Sequence, residues 1–184
     1  MSSLEAIQIF HVLDEQTMVG FTGKVNVLSK LNRQYLGHLL LRNGEVIQAF
    51  YKSVSGIKAF FNIVVSDFEL EPISYVVEPE TVEEHQRGIH YPFSVLKART
   101  QEVIEKYLAS VKFRPPQDLK MLVKAEFLST DYEVTPEEFE VLSTLSDWNL
   151  VKDIYQNCNL VDYEITLALV GLRKKGALKV ISAT

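Results

Sequence analysis

The sequence predicts an α+β fold: a small antiparallel-sheet domain with two helices, a long connecting helix, and a C-terminal domain of three short helices with flanking strands. Three observations lead to this prediction. The spacing of apolar residues switches between helical and strand periods several times within residues 1–78. Asn43-Gly44 lies between two apolar runs, which is typical of a β-hairpin. After Thr135 the apolar residues keep a helical period through three short segments.

The composition predicts packed cores and no membrane span. Apolar residues make up 47% of the 184 positions, which is enough to fill one large or two small domains. The longest apolar runs, such as Leu39-Leu40-Leu41, are far shorter than the roughly 20 residues that cross a bilayer. The first residues lack a basic region ahead of an apolar stretch, so no secretory signal is expected. The expectation is a soluble cytoplasmic protein.

The first elements of the N-terminal domain are predicted to be a helix and two strands. Ser2-Ser3-Leu4-Glu5 has the spacing of a capping box, which predicts a helix that ends near Gln16. The predicted buried face of this helix is Ile9, Phe10 and Leu13. The following residues change to a spacing that suits extended chain. Strands are predicted at residues 23–27 and 35–41.

Asn43-Gly44 is the most specific local signal in the sequence. The pair supplies the two positive φ values of a type I′ turn, so residues 39–47 should form a β-hairpin around it. Ser55 precedes a second helix, whose apolar positions are Ile57, Phe60, Phe61 and Val64. Residues 68–71 alternate and are predicted to form a closing strand that ends near Pro72, with residues 75–77 as a continuation.

The middle segment, residues 79–118, is predicted to be a linker and a connecting helix. Apolar periodicity lapses between residues 78 and 90, where proline, glycine and charged residues gather. Pro92 suits the first turn of a long helix, and Pro115-Pro116 ends it. Residues 119–127 then alternate, which predicts a strand, with a short helix as the alternative.

The C-terminal domain, residues 119–184, is predicted to be winged-helix-like. Thr135-Pro136-Glu137-Glu138 combines a capping box with proline at the first helical position, so a helix begins there. A short second helix should follow, and Asp162 is predicted to cap a third. Gly176 should end the third helix in the left-handed conformation, before a strand at residues 178–181. Three helices framed by strands are the winged-helix arrangement.

Four segments of the first domain share the pattern of a known bacterial family. They are the helix that ends near Leu13, Phe21-Thr22-Gly23-Lys24-Val25, residues 40–49 and residues 68–72. In this pattern, residues 4–78 resemble the PATAN-type domain, a domain of unknown function often found in gliding and deltaproteobacterial signalling proteins. Residues 142–145, 151–154 and 172–178 likewise resemble the helical and winged-helix tail that commonly follows it.

The resemblance implies a non-enzymatic adaptor in signalling or motility control. Such domains are often fused to phosphoacceptor receiver domains, and some members are associated with pilus motors or small GTPases. The implied partners are a receiver-domain protein, a small GTPase regulator or a pilus-motor component, with self-association as a further outcome. None of the shared motifs is catalytic, so no catalytic residue, cofactor or metal site is predicted.

The chain offers few residues for metal or nucleophilic chemistry. Cys158 has no second cysteine or paired histidine nearby, so it is predicted to be a small buried side chain. His85 and His90 form a conceivable surface metal site, but no predicted helix or strand fixes them as ligands. His38 is predicted to lie on the strand face opposite that of Tyr35, as a surface residue of the hairpin.

The alternative function is a winged-helix DNA-binding transcriptional regulator. The candidate binding residues on the third helix are Tyr163, Thr166, Arg173, Lys174 and Lys175. The charge pattern argues against nucleic acid, because acids outnumber bases 8 to 6 in residues 1–78, 9 to 8 in residues 79–134 and 7 to 5 in residues 135–184. Asp162 and Glu164 would meet phosphate at the helix N-terminus, whereas the basic residues suit the carbonyl end of the helix dipole.

Overall fold

The structure is a computed structural model that describes residues 7–69, 72–129 and 132–181. These residues form seven α-helices, a five-stranded antiparallel sheet and a two-stranded sheet, so the predicted α+β class is confirmed. The chain divides into two compact units, residues 1–104 and 105–184. The division falls inside the helix that the sequence predicts as a connector. The predicted capping box at residues 2–5 lies outside the described residues.

The first unit is built on the five-stranded sheet. Its elements are α1 (Gln8–Met18), β1 (Gly23–Ser29), β2 (Tyr35–Arg42), β3 (Glu45–Tyr51), β4 (Val54–Ser55), α2 (Gly56–Phe68), β5 (Ile73–Pro79) and the first turns of α3 (Phe93–Ser110). The strands are ordered β4-β3-β2-β1-β5, and all neighbours are antiparallel. The two predicted helices and the first two predicted strands are confirmed.

The core of this unit lies between the helices and one face of the sheet. The predicted buried face of α1 is confirmed, since Ile9, Phe10 and Leu13 are at most 3% exposed. The sheet contributes Val25, Val27, Leu39, Leu41 and Ala49, all fully buried. In α2 the Phe60 and Phe61 rings meet edge to face, 5.4 Å apart. The start of α3 joins this core, because the Phe93 ring lies 6.1 Å from that of Phe10.

The closing strand begins later than predicted. Phe68 is the last residue of α2, and residues 70–71 lie outside the described part of the chain. The closing strand is β5, which pairs with β1 along all seven of its residues. The prediction of a strand at residues 68–71 failed because a four-residue alternation does not separate a strand from a helix end, whereas pairing with β1 does.

A β-bulge at Leu36 corrects the predicted orientation of His38. The partners of β2 on β1 skip Leu36, so that Gly37 and Tyr35 lie opposite consecutive residues of β1. The extra residue brings Tyr35 and His38 to the same face of the sheet. There the Tyr35 hydroxyl contacts His38 Nδ1. A strict period of two therefore predicts the wrong face for His38.

The hairpin turn between β2 and β3 is Asn43-Gly44, as predicted. The two residues have φ of 51° and 80°, the positive values that a type I′ turn requires. The end of α1 holds the turn in place. The Thr17 hydroxyl donates to the Gly44 carbonyl at 2.9 Å, and the Gly44 amide donates to the Phe21 carbonyl at 2.8 Å.

Gly44→Val should destabilise the first unit by about 1–3 kcal/mol. A Cβ at this position would be strained by the positive φ and would lie 2.8 Å from the Thr17 carbonyl oxygen. Gly20→Val is the matched control, because Gly20 has φ of 62° but no atom within 4 Å of its Cβ position. The smaller loss of unfolding free energy expected for Gly20→Val would measure backbone strain alone. Thermal unfolding followed by circular dichroism measures both, and an unchanged melting temperature for Gly44→Val would remove the turn assignment.

A buried carboxylate from α2 caps the start of α1. Asp67 is 6% exposed, and its Oδ2 accepts a hydrogen bond from the Ile9 amide at 2.6 Å. Amides in the first turn of a helix lack partners within the helix, and Asp67 supplies one. Burial raises the pKa of Asp67, and the bond from Ile9 opposes that rise. Burial also raises the pKa of the neighbouring Tyr75, and the Asp67 charge adds to that rise.

The second unit contains the end of α3 and a smaller sheet. Its other elements are β6 (Lys120–Val123), α4 (Ala125–Leu128), α5 (Pro136–Asp147), α6 (Val151–Asn157), α7 (Asp162–Lys174) and β7 (Leu178–Ile181). β6 and β7 pair antiparallel, and Leu150 forms an isolated bridge with Lys120. The three helices and final strand predicted after Thr135 are confirmed. Residues 119–127 contain both predicted alternatives, a short strand and then a helical turn.

Two predicted helix ends are present in this unit. The Thr135 hydroxyl accepts a hydrogen bond from the Glu138 amide at 3.2 Å, and the Glu138 carboxylate accepts one from the Thr135 amide at 2.9 Å. This reciprocal pair is the predicted capping box of α5. Gly176 follows α7 with φ of 73°, in the left-handed conformation predicted for it.

The start of α7 differs from the prediction that Asp162 caps it. The Glu164 carboxylate accepts from the Val161 amide at 3.0 Å, so Glu164 takes that role. Asp162 is the first residue of the helix, and its carboxylate pairs with the Arg114 guanidinium at 2.9 Å. The prediction failed because the sequence does not show that Arg114, from the turn after α3, contacts Asp162.

Candidate functional site

Two of the candidate binding residues on α7 belong to the core of the second unit. Tyr163 is 8% exposed and Thr166 is 2% exposed. The Thr166 hydroxyl lies 2.6 Å from the Tyr155 hydroxyl and donates to the Asp162 carbonyl at 2.9 Å. The Tyr163 ring is covered by the Lys106 ammonium, 5.8 Å from the ring centroid. Both side chains therefore stabilise the unit and are not presented to a partner.

The basic residues at the end of α7 have two different roles. Arg173 and Lys174 are exposed in the last turn, where positive charge suits the helix dipole. Lys175 is half-buried, and its Nζ lies 2.5 Å from Glu138 Oε2 and 2.7 Å from the Glu133 carbonyl oxygen. Glu138 is 5% exposed, so Lys175 neutralises a buried carboxylate. Only Arg173 and Lys174 of the five candidate residues are open to solvent.

The metal and nucleophile candidates are not brought together. Cys158 is 2% exposed and free of any disulfide, in agreement with the prediction of a small buried side chain. His85 and His90 are exposed residues. Within residues 7–69, 72–129 and 132–181, no group of three histidine, cysteine or acidic side chains is placed to hold a metal ion. No helix in this part of the chain is long and apolar enough to span a membrane.

The sheet of the first unit has one face that α1 and α2 do not cover. Cross-strand pairing places Asn26 between His38 and Val76 on this face, and places Phe50 beside His38. The bulge adds Tyr35 to the same row. We call Asn26, Tyr35, His38, Phe50 and Val76 the open-face patch. Tyr35 is 54% exposed, Val76 41% and Phe50 37%, whereas Asn26 between His38 and Val76 is buried.

Three rings stand side by side in the open-face patch. The His38 ring centroid lies 4.8 Å from that of Phe50 and 6.0 Å from that of Tyr35. Burial lowers the pKa of His38 from its ordinary value of 6.5, and the positive charge of Lys24 lowers it further. Burial raises the pKa of Tyr35. Both side chains are therefore uncharged at neutral pH, and the patch is a neutral aromatic surface.

Two carboxylates beside the patch have partners. The Asn26 side-chain Nδ2 donates to Glu78 Oε2 at 2.7 Å, and Lys24 Nζ forms an ion pair with Glu80 Oε2 at 2.7 Å. Beyond them Val82 packs on Leu40 and covers that end of the face. The remaining surface is apolar at its centre and polar at its rim, which is the usual anatomy of a protein-binding surface.

The open-face patch adjoins a free sheet edge. Among the residues that the structure describes, β5 is the last strand in the order and pairs only with β1. It is seven residues long, whereas β4 at the other edge has two. Val76 lies on β5 and in the patch, so an edge and a face meet there. The edge is not the closing strand predicted at residues 68–71, because Glu69 directly follows α2.

Sequence reasoning missed the open-face patch for an identifiable reason. The strands that carry Tyr35 and Asn26 were predicted, and β5 was predicted only as a continuation at residues 75–77, but His38 was assigned to the wrong face. The insertion of Leu36 breaks the alternation, and only pairing with β1 reveals it.

No protein-family model matches this chain, and no curated protein or solved structure matches it significantly.

Proposed function

We propose that this protein is a non-enzymatic adaptor that binds a partner protein on the open-face patch of its first unit. The observation that carries the proposal is the row of uncharged rings, Tyr35, His38 and Phe50, on a sheet face that α1 and α2 leave uncovered. Aromatic side chains are enriched in the energetically dominant centres of protein interfaces. They bury a large area and lose little rotational freedom when they do so.

The sheet also holds the patch side chains in place before a partner binds. The three rings stand on adjacent residues of paired strands, so binding requires little additional ordering. The neighbouring edge of β5 offers backbone groups to a partner strand, and Val76 would anchor that strand to the patch. A partner that adds a strand at β5 and places an apolar side chain over Phe50 would use both features.

The class of partner follows from the resemblance to PATAN-type domains. On that basis the adaptor acts in bacterial signalling or motility control, and its partner is a receiver-domain protein, a small GTPase regulator or a pilus-motor component. Self-association through β5 is the competing outcome, because an exposed edge strand also suits a second copy of the chain.

Tyr35→Ala and Phe50→Ser should each weaken partner binding by about tenfold or more, since truncation of a central aromatic removes most of its contact energy. The measurement is recovery of partners from cells of the native organism by the tagged full-length chain, followed by affinity measurement with the partner recovered. Leu31→Ser is the matched control, because Leu31 is 83% exposed and lies outside the patch.

Three outcomes of this experiment separate the hypotheses. Loss of the partner in both patch variants and retention in Leu31→Ser would support the proposal. Equal recovery by all variants would overturn it. Recovery of the chain itself, with a dimer in solution, would replace the adaptor with a self-associating protein. Unchanged circular dichroism of each variant excludes unfolding as the cause.

DNA binding by the second unit is the second candidate, and the exposed Arg173 and Lys174 favour it. Acids at Asp162 and Glu164 oppose it, since they lie at the end of α7 that would enter a groove. A mobility shift with random duplex DNA discriminates the two candidates. Micromolar binding that weakens with salt would favour the regulator over the adaptor.

A further inference from the structure

A groove of about 600 Å³ opens on the surface of the second unit. Its lining residues come from α4 and the residues before and after it, from the turn that ends α7, and from β7: Lys124, Glu126, Phe127, Tyr132, Lys175, Gly176 and Lys179. The volume lies within the range of small-molecule sites in proteins, roughly 300–1,000 Å³. Neither the open-face patch nor the proposed adaptor role involves this groove.

The apolar part of the groove is a stacked pair of rings. The Phe127 and Tyr132 centroids lie 4.9 Å apart, and the ring planes are 9° from parallel. Phe127 is 7% exposed and belongs to the core, whereas Tyr132 is 53% exposed. Phe127 therefore holds the Tyr132 ring from one side and leaves the rest of it accessible. A planar aromatic ligand can extend such a stack.

The polar part of the groove is cationic. Lys124 and Lys179 are exposed, and neither forms an ion pair with an acid in the described residues. The third lysine, Lys175, is held by Glu138 at 2.5 Å. Among the described lining residues Glu126 is the one acid, and Lys175 is already neutralised by Glu138, so Lys124 and Lys179 against Glu126 leave a net charge of +1. This charge favours an anion with few negative charges over a polyanion such as duplex DNA.

The backbone fixes the two exposed lysines relative to each other. Lys179 lies on β7 opposite Leu122 of β6, and the Lys124 amide donates to the Ala177 carbonyl at 2.9 Å. The two lysines therefore start from diagonal positions on paired segments, two residues apart in register. Gly176 lies between α7 and β7, and no atom stands within 4 Å of its Cβ position, so the turn leaves the groove open.

We propose that this groove binds a nucleoside phosphate. The base stacks on the exposed side of Tyr132, and the phosphate groups lie between the ammonium groups of Lys124 and Lys179. Neighbouring side chains of one groove supply both a stacking surface and positive charge. A nucleotide uses both, whereas a simple anion would use only the charge and an uncharged ring only the stacking surface.

The test uses the full-length chain and ADP as the probe, in titration calorimetry at low salt. Lys124→Ala and Lys179→Ala should each weaken ADP binding by about tenfold, because each removes a charged donor to phosphate. Tyr132→Leu should weaken it by at least about fivefold, whereas Tyr132→Phe keeps the stack and should bind as the wild type does. Lys152→Ala, at an exposed lysine on α6, is the matched control. Lys175 is left unchanged because it holds Glu138.

Each result of the titration decides the proposal. Binding that the three groove variants weaken and Lys152→Ala does not would support it. No heat of binding at millimolar ADP, or binding that the groove variants leave unchanged, would overturn it. If pyrophosphate bound as tightly as ADP, the groove would be an anion site that does not recognise the base, and the proposal would be overturned. An oligothymidine that binds far more tightly than ADP would reassign it to single-stranded nucleic acid. Circular dichroism of each variant checks folding.

Discussion

Lys175→Glu should destabilise the second unit by about 3–5 kcal/mol, because it places a second carboxylate beside the buried one of Glu138 and removes the ammonium that neutralises it. Glu138 is 5% exposed, and the Lys175 Nζ lies 2.5 Å from it. Lys174→Glu is the matched control, one residue earlier and exposed. Its cost should stay near about 0.3–1 kcal/mol, from the helix dipole alone.

Denaturant unfolding followed by tryptophan fluorescence measures this effect. Trp148 is the only tryptophan and lies in the second unit, so the signal reports that unit. Glu138→Gln keeps an acceptor for the Thr135 amide but removes the charge. Lys175→Met should therefore cost much less in the Glu138→Gln background than in the wild type. Equal costs in both backgrounds would show that the ion pair does not stabilise the unit.

Asp67→Ala should destabilise the first unit by about 1–3 kcal/mol, since it removes the cap of α1, which is the acceptor of a buried amide. The Ile9 amide, which donates to Asp67 at 2.6 Å, would be left without that acceptor. Amide hydrogen exchange in α1 should accelerate more than exchange in β1 and β2. Unchanged exchange in α1 would show that the cap is dispensable.

Asp67 should also make stability depend on pH. Its pKa is raised in the folded chain above the ordinary 3.8, so between these two values the folded state keeps a proton that the unfolded state has lost. Stability from this group is therefore present at about pH 4 and is lost as the pH rises through the raised pKa. The difference in unfolding free energy between the wild type and Asp67→Asn should shrink over that interval. A difference that is constant with pH would contradict the assignment.

Local signals in the sequence predicted most of the elements but few of the long-range contacts. Asn43-Gly44 determines its own turn, and the capping box of Thr135 and Glu138 acts over three residues, so both were predictable. The Lys175 ion pair joins positions 37 residues apart, and the Asp67 cap joins positions 58 apart. Neither contact produces a periodic pattern in the sequence, because each of the residues involved fits its own local segment whether or not the contact forms.

The candidate site was the least predictable part. Its strands were predicted, yet the face on which His38 lies depends on one inserted residue in β2. The binding residues predicted on α7 were chosen by analogy with a recognition helix, and burial of Tyr163 and Thr166 removes them from the surface. Alternation reports which residues share a face, but packing decides which face is covered.

The packing of α3 determines where the chain can be divided into stable fragments. Phe93 and Leu96 are buried in the first unit, and Lys97 Nζ pairs with Asp14 at 2.6 Å, although the sequence-based boundary lies at residue 78. A recombinant fragment that stopped there would lose these side chains and expose the apolar surface around Phe10, which invites aggregation. A protease that nicked residues 79–90 would release the same segment. A soluble N-terminal fragment should therefore extend through residue 104.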